Sequence, residues 1–275
     1  MESKLKLAIL DMNAGHPNQG LRCIKEISDH YLDHLDYKIF DVRQTGIVPD
    51  LSYDIYISSG GPGNPLEGDG VWDVRFCQLL DDLWMHNANP LNLRKKYLFL
   101  ICHSFQIASA HFRLGEITRR RSTSFGIYPV HKTEYGKEED ILEVLPDPFH
   151  VVDSRDWQLV QPDLAVFQRR GARVLVLEKI RDHVAFERAI MMVRFSKEIV
   201  GTQFHPEADA KGMKEHFQKE ENKQKVIANF GEQKYEDMIE HLEDPDKVEA
   251  THSVILPDFL NNAIAKINLT IPVNK

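Results

Sequence analysis

The stretch that most limits the fold is Tyr97-Leu-Phe-Leu-Ile-Cys-His-Ser-Phe-Gln106, where an unbroken apolar run ends on a cysteine and polar residues follow at once. Five consecutive apolar residues, Tyr97 to Ile101, suit a strand buried on both faces between helices. From His103 to Leu114, the residues Phe105, Ile107, Ala108, Phe112 and Leu114 recur at roughly helical spacing, and Gly115 supplies a stop. Cys102 is therefore expected on a sharp strand-to-helix turn, at the carboxyl end of a parallel sheet and the amino end of a helix. A helix amino terminus favours the thiolate, the form of cysteine that attacks. A cysteine closing an apolar strand is also a common buried residue, so a nucleophile needs partners elsewhere in the chain.

The preceding residues supply the sheet. Leu5 to Met12 predicts a first strand, Asn13 to Gly20 a loop, Leu21 to Leu35 a helix with Ile24, Ile27, Tyr31 and Leu35 on one face, and Tyr37 to Val42 and Asp54 to Ser58 two more strands. Strand, helix, strand in this order implies a right-handed parallel crossover. The expected fold is a three-layer α/β/α arrangement with a mostly parallel central sheet, whose ligands gather at the carboxyl ends of the strands. The third strand runs into Ser58-Ser-Gly-Gly-Pro-Gly-Asn-Pro65, a tight turn with uncovered amides that can aim N–H groups at an oxyanion. A helix over Trp72–His86 leads to the cysteine strand.

Beyond the cysteine helix, strands are expected over Ser124–Thr133, Ile141–Val144, Phe149–Val152, Val174–Glu178, Ala185–Val193 and Glu198–Thr202, with a loop beginning at Ser154. Arg119, Arg120 and Arg121 suggest a solvated helix end or loop. The last strand feeds Gly201-Thr-Gln-Phe-His-Pro-Glu207. Residues two apart in an extended segment point to one side, so His205 and Glu207 can lie together while Pro206 stiffens the spacer. A carboxylate there fixes the tautomer of the imidazole and leaves its other nitrogen for a thiol. Cys102, His205 and Glu207 are thus a candidate nucleophile, base and orienting set. After Glu207 the chain becomes charged and helix-prone, with helices expected over Lys211–Val226, Gln233–Leu242 and Glu249–Ala265. This divides it into residues 1–207 and a C-terminal helical extension, 208–275, packed on the same domain.

The formal net charge of −8 over 275 residues disfavours sequence-independent binding to nucleic acid or to an anionic membrane. Cys23, Cys77 and Cys102 show no metal spacing and suggest reduced thiols in a cytoplasm. The amino end runs straight into a strand with no signal-peptide pattern, and no apolar run approaches membrane-spanning length.

With these pieces in place the chain resembles the class I (triad) glutamine amidotransferases over about residues 5–207, and within them the amidotransferase portion of GMP synthetase and its stand-alone relatives. Ser59-Gly-Gly-Pro-Gly63, Cys102-His-Ser-Phe-Gln106 and Gly201-Thr-Gln-Phe-His-Pro-Glu207 carry the resemblance, in the family's order. It implies thiol attack on the side-chain amide of glutamine, a γ-glutamyl thioester, release of ammonia, and hydrolysis to glutamate. Cys102 matches the nucleophile, His205 the general base and acid, and Glu207 the residue that orients it. Gly61 and His103 match the backbone amides of the oxyanion hole, and Gly63, Gln106 and Gly126 match the glutamine pocket. No metal or organic cofactor is implied.

Three departures qualify what the resemblance implies. The family's elbow has glycines where this chain has Leu100 and Ser104, which predicts a narrowed or reshaped pocket. Arg155 stands where the family has a histidine, bringing a positive charge to the substrate. No synthetase domain follows Glu207, so ammonia passes to a separate synthetase subunit or the protein is a simple hydrolase; a homo-oligomer is open. Two other functions stay in view: a γ-glutamyl peptide or conjugate hydrolase using the same triad, and a catalytically silent regulatory or binding subunit.

Overall fold

The computed structural model describes residues 4–16, 18–180 and 187–270. In chain order the elements are β1 (Leu5–Asp11), α1 (Gln19–Asp29), β2 (Leu35–Asp41), α2 (Val42–Thr45), β3 (Ile55–Ser58), α3 (Trp72–Ala88), β4 (Tyr97–Ile101), α4 (His103–His111), β5 (Glu116–Lys132) and α5 (Glu134–Lys137). They continue with β6 (Phe149–Val160), α6 (Leu164–Arg170), β7 (Arg173–Glu178), β8 (Ile190–Arg194), β9 (Ile199–Thr202), α7 (Ala210–Gln218), α8 (Glu220–Phe230), α9 (Glu232–Glu243) and α10 (Val248–Asn268).

One sheet runs β2-β1-β3-β4-β9-β8-β6-β5-β7. It is mixed, which corrects the mostly parallel sheet expected from the sequence. The pairings from β2 through β9 are parallel, whereas β9–β8, β8–β6, β6–β5 and β5–β7 are antiparallel, and β7 pairs back onto β8 in a barrel-like closure. The reason is connection length. Parallel neighbours need a crossover of a dozen or more residues, usually a helix, which α1 and α3 provide; antiparallel neighbours do not.

Alternation along the parallel strands sorts their side chains between two cores. Phe99 and Ile101 join Ile24 and Ile27 of α1 and Phe259 and Leu260 of α10 on one face. Leu98 and Leu100 join Phe76 and Leu80 of α3 and Phe105 and Ala108 of α4 on the other. Phe99 and Phe259 meet edge to face, with ring centroids 5.2 Å apart. A third apolar cluster, including Phe125, Val152, Met213, Phe217 and Met238, packs α7, α8 and α9 against β5 and β6.

Several local expectations change. Residues 141–144 form no strand; a short 3-10 turn occupies Asp140–Leu142. The segment from Ser154 lies inside the long strand β6, paired with β5, and is not a loop. Arg119 to Arg121 lie in β5 beside a register shift between Arg119 and Ser124, not at a helix end. The helix expected from Lys211 to Val226 is two, α7 and α8, separated where Lys219 takes an extended conformation. Of the strand expected over Ala185–Val193, residues 185 and 186 lie outside the described residues, and β8 starts at Ile190. No helix among the described residues is long and apolar enough to cross a membrane.

Candidate active site

Cys102 stands between β4 and α4 with φ 48° and ψ −101°, a left-handed conformation that a residue with a Cβ adopts only when its surroundings impose it. The surroundings do so from both sides. Its N–H donates to Thr202 O of β9 at 2.7 Å, and its carbonyl accepts from Gln106 N at 2.9 Å, closing the first turn of α4. Ser104 adds a further tie: its hydroxyl accepts from Ile101 N at 3.0 Å and lies 3.0 Å from Ser58 O of β3. A serine thus locks the elbow at a position where the sequence predicted a reshaped pocket.

Leu100 also leaves the pocket alone. It points to the α3–α4 face and is fully buried there. Room for it comes from its register partner Gly201 on β9, where an added Cβ would stand 2.9 Å from Leu100 Cβ. Neither Leu100 nor Ser104 lines the cavity above Cys102. The expected narrowing at the elbow is therefore absent.

His205 Nδ1 lies 2.8 Å from Glu207 Oε1. Glu207 is 1% exposed and sits against the first turn of α1, where a Cβ on Gly20 would approach Oε1 to 2.8 Å. Burial opposes protonation of His205, but the Glu207 carboxylate and then Cys102 outweigh it and hold the imidazole well above its ordinary value. A methyl placed on Gly60 would lie 2.8 Å from His205 Cε1 and 3.5 Å from Cys102 Cβ, so the ring and the thiol-bearing carbon meet over this glycine. The structure brings Cys102, His205 and Glu207 together around one cavity of about 540 Å³.

Gly61, Gly63, His103 and Gln106 line the same cavity. Gly61 has no room for a side chain, since a Cβ would overlap Met12 O. Gly63 has φ 100°, which glycine adopts at little cost. His103 opens α4, so its backbone N–H belongs to the free amino-end group of that helix. Its imidazole is buried and lowered to about 3, first by desolvation and then by the Arg43 charge, which keeps it neutral. Gln106 donates from Nε2 to Trp157 O and Gln203 Oε1, each at 3.1 Å.

Two expected pocket residues are placed differently. Gly126 lines an adjoining cavity rather than the one above Cys102. Arg155 borders the main cavity, but its guanidinium, 1% exposed, is held by Asp153 at 2.9 Å and Glu178 at 3.2 Å. Its charge is neutralised within this buried cluster, which corrects the expectation of a cation presented to substrate. The adjacent Ser154 does reach the site, its carbonyl oxygen 3.8 Å from Cys102 Sγ.

Sequence reasoning missed Gln203, whose Nε2 lies 3.7 Å from Cys102 Sγ. Its position two residues before His205 in an extended segment was the available signal. Gly20 and Gly60 had none, because each is required by a side chain distant in sequence. His252 of α10, which donates from Nδ1 to Glu207 O at 3.0 Å, was equally hidden. Among the described residues no group of three or more His, Cys, Asp or Glu could hold a metal ion.

No protein-family model and no curated protein sequence matches the chain. Solved structures do. A glutamine amidotransferase from Thermotoga maritima superposes with a TM-score of 0.69 at 15% identity, over 96% of this chain and 99% of that one. A glutamine amidotransferase from Methylobacillus flagellatus gives 0.66 at 13%, over 98% and 96%. The fold is that of the class I glutamine amidotransferases. The glutaminase domain of Trypanosoma brucei CTPS, solved with bound acivicin, shares this amidotransferase fold more loosely, with a TM-score of 0.53 at 14% identity over 74% of this chain and 86% of that one.

Proposed function

We propose that the protein hydrolyses the γ-carboxamide of glutamine through Cys102, with His205 as proton carrier and Glu207 as its orienting carboxylate. The observation that carries this reading is the strained Cys102 elbow facing a His205–Glu207 pair in one cavity. The thiol proton passes first to His205, which Glu207 equips to hold it, sulfur then bonds to the amide carbon, and the backbone amides of Gly61 and His103 receive the oxyanion. His205 then protonates the leaving nitrogen, the carbon–nitrogen bond breaks, and a γ-glutamyl thioester remains. Water, deprotonated by His205, attacks the thioester and releases glutamate.

Glu207 holds Nδ1 so that Nε2 is the nitrogen offered to sulfur. Gly63 and Gln106 border the part of the cavity assigned to the amino-acid end of the substrate. The scheme draws only on groups of the chain. Released ammonia goes to water or to a separate synthetase subunit, and the free thiols suit a cytoplasmic enzyme.

The test is glutamate release from glutamine by the purified protein beside Cys102→Ala, with alkylation of Cys102 by a diazo-ketone glutamine analogue followed by mass spectrometry. Turnover and labelling that both vanish in Cys102→Ala support the reading. An unreactive thiol together with no turnover of any γ-glutamyl amide would establish a silent binding subunit instead.

A further inference from the structure

Beside the catalytic cavity lies a second one of about 230 Å³ that shares Gly20, Ser154, His205 and Glu207 with it. Its other walls are mainly apolar, built by Phe125 of β5, Val152 of β6, Met213 and Phe217 of α7 and Met238 of α9. The C-terminal helices therefore help to make a mainly apolar chamber, with the His205–Glu207 pair on the side it shares with the catalytic cavity and Gln19, Cys23, Asp153 and His216 as its other polar or ionisable lining. Asp153, which also borders it, is already held by Ser124 and Arg155. Burial and then the nearby Lys219 and Lys225 lower His216, which lines the chamber from α7, and keep it neutral.

Glutamine hydrolysis gives this chamber nothing to hold. Ammonia is about the size of a water, whose share of liquid volume is about 30 Å³, and it gains nothing from apolar walls. The two cavities meet at His205, the ring that hands a proton to the departing nitrogen. A substituent on that nitrogen would lie against the wall that the two cavities share. Glu207 lines both, and its buried Oε2 has no hydrogen-bond partner among the described residues.

We infer that the second chamber receives an apolar substituent on the amide nitrogen, so that the preferred substrates are γ-glutamyl amides of small apolar primary amines. The inference rests on the Cys102 chemistry proposed above and changes only the leaving group. Sulfur bonds to the side-chain carbonyl carbon and the carbon–nitrogen bond breaks. The nitrogen takes one proton from His205 and leaves as a primary amine, and water converts the thioester to glutamate and free thiol. The amine departs through the chamber that held its alkyl group.

The experiment compares kcat/KM for glutamine and for its N-methyl, N-propyl and N-pentyl amides. Each methylene buried should raise kcat/KM about threefold to fourfold until the chamber is full. Met238→Trp, which fills the chamber from α9, should lower the pentyl-to-glutamine ratio at least tenfold. Met238→Ala, which enlarges it, should move the optimum to longer chains and decides the matter if the tryptophan variant does not fold. Glutamine turnover with kcat/KM flat or falling along the series, or ratios untouched by both variants, overturns this inference and leaves the proposed function standing. No turnover of glutamine or any amide, with Cys102 unlabelled, overturns both.

Discussion

Gly60→Ala tests the site geometry directly, because it adds one methyl group at the point where His205 and Cys102 meet. The added carbon would lie 2.8 Å from His205 Cε1, against about 3.5–4.0 Å for an unstrained carbon contact. The missing separation is about 0.7 Å or more. The backbone cannot supply it cheaply. Ser59 N donates to Leu10 O at 2.9 Å, and Ser59 Oγ accepts from Met12 N at 2.9 Å, which pins the end of β3 to β1. The imidazole yields instead, and its 2.8 Å bond to Glu207 is disturbed. A catalytic group displaced by about 1 Å can cost about 100-fold in rate, so kcat should fall between about tenfold and 100-fold, or about 1.4–2.7 kcal/mol of barrier. Gly60 is not in the left-handed region, so alanine brings no backbone strain and Tm should move little. Steady-state kcat, thermal unfolding and the rate of Cys102 alkylation together check this. A folded variant with kcat within about twofold of the parent would refute the reasoning that Gly60 sets the ring position.

Cys102→Gly should unfold later than Cys102→Ala by about 1–2 kcal/mol, since only glycine relieves the φ of 48° at the elbow; equal denaturant midpoints would show that the elbow stores no strain. The raised His205 value predicts stability that is full below about pH 6.5 and lost as pH rises through the higher folded value. Glu207→Gln should therefore reduce Tm most below about pH 6.5, where the imidazole carries its proton, and progressively less at alkaline pH; an offset independent of pH would contradict the ion pair. Arg155→Met leaves Asp153 and Glu178 buried without its charge and should cost about 3–5 kcal/mol in urea unfolding, as for other broken buried pairs. Phe259→Ala opens the interface between α10 and β4 and should cost about 3–5 kcal/mol; a loss under 1 kcal/mol would mean that α10 is only loosely attached.

The parts of the site legible in the sequence are those whose signal is local. An apolar run ending in Cys102 specifies a buried strand and an elbow, and the extended His205-Pro-Glu207 spacing specifies a shared side. Both follow from the periodicity of strands, which holds wherever the strand is placed. The antiparallel half was harder. Residues 154–158 carry Ser, Arg, Asp, Trp and Gln, a composition that suits a loop, yet pairing with β5 extends β6 through them. Tertiary pairing overrode local preference there. Arg155 failed for a related reason: a charge near a pocket looks available until its buried carboxylate partners, one of them 23 residues away on β7, are known.

By itself, then, the sequence determined the chemistry on offer: a thiol on a strand-to-helix turn, an imidazole with its carboxylate, and a glycine-rich turn after the third strand. The structure decided what each group faces. It turned Leu100 into the α3–α4 core, made Ser104 a brace, withdrew the Arg155 charge, and moved Gly126 to a second chamber roofed by α7 and α9. The division has one physical reason. Local conformation depends on neighbours a few residues away, whereas the direction in which a side chain is buried depends on strand register and on helices joined to it only through space.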